Sequence, residues 1–277
     1  MKIKRLLLVV VLLAFCSCMV NFIKAQEEES HTFQAAGYTR VEIETENGTI
    51  TSSAQPGDSI DVTLNKWATG SSEAAAKAHI QDISVSITED TAAGKLRIFV
   101  AIPKQITRAY GCDATLSLPP SLYVNLVTSN GDIEAQGHEA GLLLYTSNGA
   151  ITSTATKGNE ELTTSNGDIT VNSHIGNIDA ATSNGAIDAK VIMPDLKGHL
   201  RLVTSNGNAR ATIPASVSAS IALRTSNGSI SIDPALNITV IKINDDEFEG
   251  TMGGTEDQGD VDIETSNGTV VLSRYVP

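Results

Sequence analysis

Cysteine is scarce: three in 277 residues, and two of them, Cys16 and Cys18, fall in the apolar N-terminal stretch. Cys112 is therefore the lone thiol of the body. That excludes an internal disulfide and a cysteine-built zinc site there, and a single thiol reads as a small buried hydrophobe. Aromatic residues make up 4%, too few rings for a wide core. Cations are short as well, 19 Lys and Arg against 32 Asp and Glu, for a net charge of −13. Such a surface repels phosphate backbones and anionic lipid, which argues against nucleic-acid binding and passive membrane docking. There is no Gly-x-Ser-x-Gly elbow, no phosphate-cradling loop, no His-Glu-x-x-His and no calcium-binding nonapeptide. The five histidines, His31, His79, His138, His174 and His199, show no metal-ligand spacing, and each is expected in a surface loop. No catalytic residue, metal or cofactor is expected.

The one long apolar run, residues 6–15, follows Lys2, Lys4 and Arg5 and has the length of a signal-peptide core. Residues 1–25 read as a signal peptide released after Ala25. Alternatives are a lipoprotein signal to residue 17 with lipid on Cys18, or an uncleaved anchor. Each places the remainder outside the cytoplasm: in the periplasm, on the outer membrane, or at the cell surface and beyond. The membrane is then met only through that N-terminal lipid or anchor. Losing residues 1–25 removes four cations and no anion, taking the net charge from −13 to −17.

What the chain has in abundance is a repeat. Thr-Ser-Asn-Gly begins at Thr128, Thr146, Thr164, Thr182, Thr204, Thr225 and Thr265, at spacings of 18, 18, 18, 22, 21 and 40 residues. Thr45-Glu46-Asn47-Gly48 is an imperfect eighth copy. Two positions before each Thr stands an aliphatic residue or Ala (Leu126, Leu144, Leu162, Ala180, Leu202, Leu223, Ile263). Two after each Gly stands Ile133, Ile151, Ile169, Ile187, Ala209, Ile230 or Val270. Period-two alternation on both sides of a turn is the mark of half-buried strands and excludes helix. The expected turns are Asn47-Gly48, Asn130-Gly131, Asn148-Gly149, Asn166-Gly167, Asn184-Gly185, Asn206-Gly207, Asn227-Gly228 and Asn267-Gly268, because Asn and Gly best tolerate positive φ.

The fold expected is all-β, a β-solenoid with about 18–22 residues per coil and rungs about 4.8 Å apart. The alternative is a β-meander closed by Asn-Gly hairpins. Residues 26–40 read as a linker. Residues 41–127 read as irregular β coils with a short helix near 71–80, capped by Ser71 or Ser72. Residues 128–277 are the regular repeat block, with an acidic loop at 245–258.

With the Thr-Ser-Asn-Gly-Asp/Ala-Ile repeats behind a signal-like segment, the chain resembles a bacterial family of unknown function labelled putative adhesin. It is also similar to autotransporter-adhesin-like head domains. The resemblance spans residues 41–272 and implies a β-solenoid-like fold and an envelope setting.

Two carboxylate readings arise from the residues. Asp132 and Asp168 hold equivalent positions two repeats apart, about 10 Å by stacking, near the separation used by inverting glycosidases. Asp after Asn-Gly is also ordinary turn chemistry, the stronger reading. Asp245, Asp246, Glu247, Glu256 and Asp257 are oxygen-rich enough for calcium but read first as a solvated charge run. The repeated Ser and Asn residues would ladder along one edge, satisfying turn backbone or binding a partner. The function expected is a non-catalytic, exported cell-envelope interaction module using an extended repeat surface, its partner a protein or polysaccharide of the envelope. A self-assembling scaffold and a polysaccharide-active β-helix enzyme are the alternatives.

Overall fold

Alternation dominates the architecture. The computed structural model describes residues 22–104, 109–192, 198–254 and 259–276, and strands take up 67% of the described residues. In chain order come β1 (Ile23–Gln34), β2 (Arg40–Glu44), β3 (Ile50–Ala54), β4 (Ser59–Gly70), helix α1 (Glu73–Ile80), β5 (Ser84–Asp90), β6 (Lys95–Ala101) and β7 (Tyr110–Leu118). The regular repeats supply β8 (Tyr123–Val127), β9 (Ile133–Gln136), β10 (Leu142–Tyr145), β11 (Ile151–Thr154), β12 (Lys157–Asn166), β13 (Ile169–Asn184), β14 (Ile187–Val191), β15 (His199–Asn206) and β16 (Ala209–Ile213). The chain ends with β17 (Ala219–Ile232), a 3-10 turn at Pro234–Leu236, the hairpin β18 (Thr239–Ile243) and β19 (Glu247–Met252), and β20 (Gly259–Arg274).

Copies of the repeat pair in parallel, residue for residue. Leu144 lies between Leu126 and Leu162, and Ile151 between Ile133 and Ile169. These columns form the core; Ile133, Ile151 and Ile169 are all fully buried. Parallel neighbours rule out the Asn-Gly meander, since a two-residue hairpin reverses the chain.

The β-solenoid expectation is overturned too. β13 pairs with β14 through its first half and with β15 through its second. β20 pairs with β15 through its first half and with β16 through its second, and β14 pairs with β16. Those five parallel strands close on themselves as a barrel, and fifteen strands lie outside it. The physical reason is that β13 and β20, 16 residues each, bend without ending. β13 turns at Ser173, where φ is 61° and its pairing with β14 slips register.

Order along the stack also departs from order in sequence. β2 sits between β6 and β8, and β3 between β7 and β9. β20 sits between β15 and β17. The 40-residue gap before Thr265 holds the β18–β19 hairpin, antiparallel to β17.

Residues 26–40, expected as a linker, are largely strand: β1 pairs antiparallel with β4, which pairs with β7. Ala25 lies inside β1 and is buried against the core. Helix α1 is capped by Ser72, whose hydroxyl accepts the Ala75 N–H at 3.1 Å, and it buries Ala76 and Ile80. The acidic segment is strand over Glu247–Met252, because Phe248 and Met252 alternate into the core. Asp245 and Asp246 make the turn before it.

Candidate functional site

Each letter of Thr-Ser-Asn-Gly has a separate task. The Thr is buried, and its hydroxyl donates to the glycine carbonyl of the neighbouring rung: Thr146 to Gly131, Thr164 to Gly149 and Thr182 to Gly167, all at 3.0 Å. This satisfies a carbonyl the corner would otherwise leave unpaired. The Gly is required by proximity: a Cβ on Gly149 would lie 2.1 Å from the Gly131 oxygen, and one on Gly167 1.9 Å from the Gly149 oxygen. The positive-φ explanation fails for the Asn, since the non-glycine residues with positive φ among those described are Ala155, Ser173 and Asn237.

The Asn forms a ladder instead. Asn130 donates to the Asn47 side-chain oxygen at 2.6 Å. Asn148, Asn166 and Asn184 each donate to the preceding rung at 2.9 Å. Asn206 donates to Asn184 at 3.0 Å, Asn267 to Asn206 at 2.9 Å and Asn227 to Asn267 at 3.0 Å. Eight amides thus make one continuous chain, and from Asn130 onward every one is solvent-exposed. Seven rung steps of about 4.8 Å make a face roughly 34 Å long. The Ser column flanks it, exposed at Ser183, Ser205, Ser226 and Ser266, with no side-chain partner among the described residues.

Asp132 and Asp168 are not brought together. Each carboxylate accepts the backbone N–H of the next rung, Asp132 from Ala150 at 2.8 Å and Asp168 from Ala186 at 2.7 Å. The alternation of Asp with Ala therefore has a plain cause: adjacent rungs would set like charges about 4.8 Å apart. In the acidic segment Glu247 pairs with Lys242 and Arg224. Among the described residues no three His, Cys, Asp or Glu side chains are placed to hold a metal. Glu256, Asp257 and Cys18 lie outside the described residues.

The histidines hold the largest correction. His138 and His174 are fully buried, not on surface loops. The His138 ring nitrogen Nε2 lies 3.0 Å from the Ser52 hydroxyl. The His174 Nδ1 lies 3.0 Å from the Thr156 hydroxyl and 3.4 Å from the Glu160 carboxylate. Glu160 also accepts from Ser153 at 2.6 Å, and Ser153 bonds Thr156 at 3.0 Å. Burial pushes His138 below its ordinary pKa, opposed by the Ser52 contact and the charge of Glu160. Burial alone would raise Glu160, but His174 and the hydroxyls of Ser153 and Thr156 outweigh it and hold the carboxyl low. His138 Nδ1, Glu160 Oε2 and His174 Nε2 find no partner in the protein. The signal for this cluster was in the sequence: His138, Thr156 and His174 each stand ten residues after the Thr of their copy. Glu160 interrupts a column otherwise made of Val124, Leu142, Ile178 and Leu200. Being closed to solvent, the cluster offers no route for a substrate.

No curated protein matches the chain. Three bacterial structures overlie it loosely. One is a putative cell adhesion protein from Clostridium sporogenes, at 11% identity and TM-score 0.37 over 91% of this chain and 100% of that one. The second is a putative adhesin from Bacteroides fragilis, at 10% identity and TM-score 0.40 over 90% and 97%. The third is a putative lipid binding protein from Parabacteroides distasonis, at 11% identity and TM-score 0.37 over the same shares. A family model matches residues 99–275, well over half of the chain. The chain therefore belongs to the domain-of-unknown-function family DUF7330.

Proposed function

We propose that this protein is a non-catalytic interaction module of the bacterial envelope, exported and displaying its Ser and Asn face to a protein or polysaccharide partner. The observation that carries the reading is the eight-amide ladder. Asn148, Asn166 and Asn184 each use one donor and one acceptor within the ladder, leaving a second N–H and a second lone pair toward solvent. Regularly spaced donors and acceptors on a rigid strand array suit an extended, repetitive partner. The acidic charge steers away nucleic acid, and the cluster of His174, Glu160, Ser153 and Thr156 is buried.

Two measurements test it. The purified protein, labelled and presented to an array of bacterial polysaccharides and envelope proteins, is expected to give saturable binding. The triple variant Ser183→Gln, Ser205→Gln, Ser266→Gln crowds the face at exposed positions and is expected to abolish that binding with the circular dichroism unchanged. Binding indifferent to the triple variant refutes the face, and turnover of an array polysaccharide refutes the non-catalytic reading. For location, protease treatment of producing cells followed by mass spectrometry is expected to release peptides from residues 128–274 before the inner membrane is broken. Release only on cytoplasmic lysis overturns export.

A further inference from the structure

The stack is sealed at one end and open at the other. At the sealed end β7 is covered by β4, and β4 by β1. At the other end β17 splits. Ala219–Arg224 is covered by β19, but from Asn227 to Ile232 the strand pairs with β20 alone, so its second edge carries unpaired backbone groups. Ile230 shows the consequence. Its counterparts Ile133, Ile151, Ile169, Ile187 and Val270 are buried, while Ile230 is half-exposed. Asn227 donates into the ladder, but its side-chain oxygen accepts from no described residue.

Beside this edge lies a groove of about 560 Å³, lined by Ile230, Ile232, Phe248, Ile243 and Asp245. Strand β18 is itself an edge, and it shows Val240, Ile241 and Ile243 at 51%, 67% and 70% exposure. Natural edges are normally blunted by charge, proline or a bulge; this one combines a free backbone ladder with apolar side chains.

We propose that the open β17 edge is a strand-addition site, taking an extended segment of another protein with apolar side chains at alternate positions and a Lys or Arg near its end. Backbone pairing supplies the attachment, and the pockets on alternate side chains supply the selectivity. The choice of a basic partner over a second copy rests on charge. Asp245 lines the groove and Asp246 follows it on the same exposed turn, neither with an ion pair among the described residues, and a chain of net charge −13 would bring those carboxylates against its own excess of anions. This surface is distinct from the Ser and Asn face and stands or falls separately from it.

The test uses the full protein and a blocked synthetic peptide, Lys-Thr-Ser-Asn-Gly-Thr-Val-Val-Leu-Lys, which copies residues 265–272 between two lysines. Fluorescence anisotropy is expected to show saturable one-to-one binding. Asp245→Lys with Asp246→Lys, both on an exposed turn, should weaken it about tenfold, and a peptide with glutamates in place of the lysines should regain the loss. Ile230→Asp should abolish binding to both peptides. Absence of saturable binding to the wild-type protein overturns the proposal, as does binding indifferent to the charge reversal. So does a wild-type dimer in sedimentation that Ile241→Lys dissolves, because the end would then be occupied by a second copy.

Discussion

Gly167→Ala isolates the demand that the stack makes on its corners. The added Cβ would meet the Gly149 oxygen at 1.9 Å and its carbon at 2.5 Å, where ordinary contact begins near 3.4 Å. The obstacle is backbone, so no side chain can swing aside and the two rungs must part. Four hydrogen bonds span the place: Thr164 hydroxyl to Gly149 oxygen at 3.0 Å, Asn166 side chain to Asn148 at 2.9 Å, Gly149 N–H to the Asn166 carbonyl at 3.1 Å and Asn166 N–H to the Ser147 carbonyl at 2.9 Å. At about 1 kcal/mol each their loss costs about 4 kcal/mol. The reduced freedom of an unfolded Ala returns about 0.5–1 kcal/mol, leaving about 3 kcal/mol, a large share of the 5–15 kcal/mol typical of a domain. Gly254→Ala is the control, since nothing lies within 4 Å of its Cβ, and it should shift stability by no more than about 0.5 kcal/mol. Equilibrium unfolding in urea measures both. A loss under about 1 kcal/mol for Gly167→Ala, with unchanged m-value, would refute the proximity argument.

Asp132→Ala and Asp168→Ala should each cost about 1 kcal/mol, the worth of one side-chain cap on a backbone N–H; two rungs apart, the losses should add, as denaturant melts of the double variant would show. Burial holds His138 below its ordinary 6.5, so the unfolded chain takes the proton first. Stability is complete above 6.5 and declines as pH falls below it, with a second decline below 4.5 as Glu160 is protonated. His138→Gln should flatten the first decline in a series of thermal melts while leaving the second. The Cys112 thiol, pushed up to about 12 by burial, should resist alkylation in the native protein and react once denaturant opens the fold.

The all-β character was legible because the repeat writes its alternation on both sides of every corner, and the short helix was legible from Ser72 ahead of an Ala-rich run. The order of the rungs was not. Every copy presents the same Thr, Asn and Gly to its neighbours, so the Thr265 copy stacks on Thr204 as readily as the Thr225 copy does, and local sequence cannot choose between them. The long strands β13 and β20 misled for a related reason: a bend at Ser173, or a change of partner after Asn267, looks like a break until both halves are seen to pair. His138 and His174 were legible in principle, 36 residues apart at one repeat position. The intervening copy has Thr156 there and the next has Ile192, which masks a periodicity visible once Thr is counted with His as a polar occupant. The Ser and Asn ladder was expected from the repeat, but not its division of labour, because burial of the Thr and crowding at the Gly depend on rung spacing.

The placement of β20 between β15 and β17 has a bearing on how the molecule comes into being. A chain emerging from its N-terminus can lay β8 to β14 one upon another as they appear, but β17 and its hairpin cover β19 then have no place on the stack, since the parallel partner of β17 is β20. Residues 219–252 must wait, with the exposed β18 segment among them, until the last long strand arrives and closes the ring from the far side. Assembly is thus sequential through its first part and all-or-none at its close, and the closing step joins strands as far apart as Asn206 and Asn267.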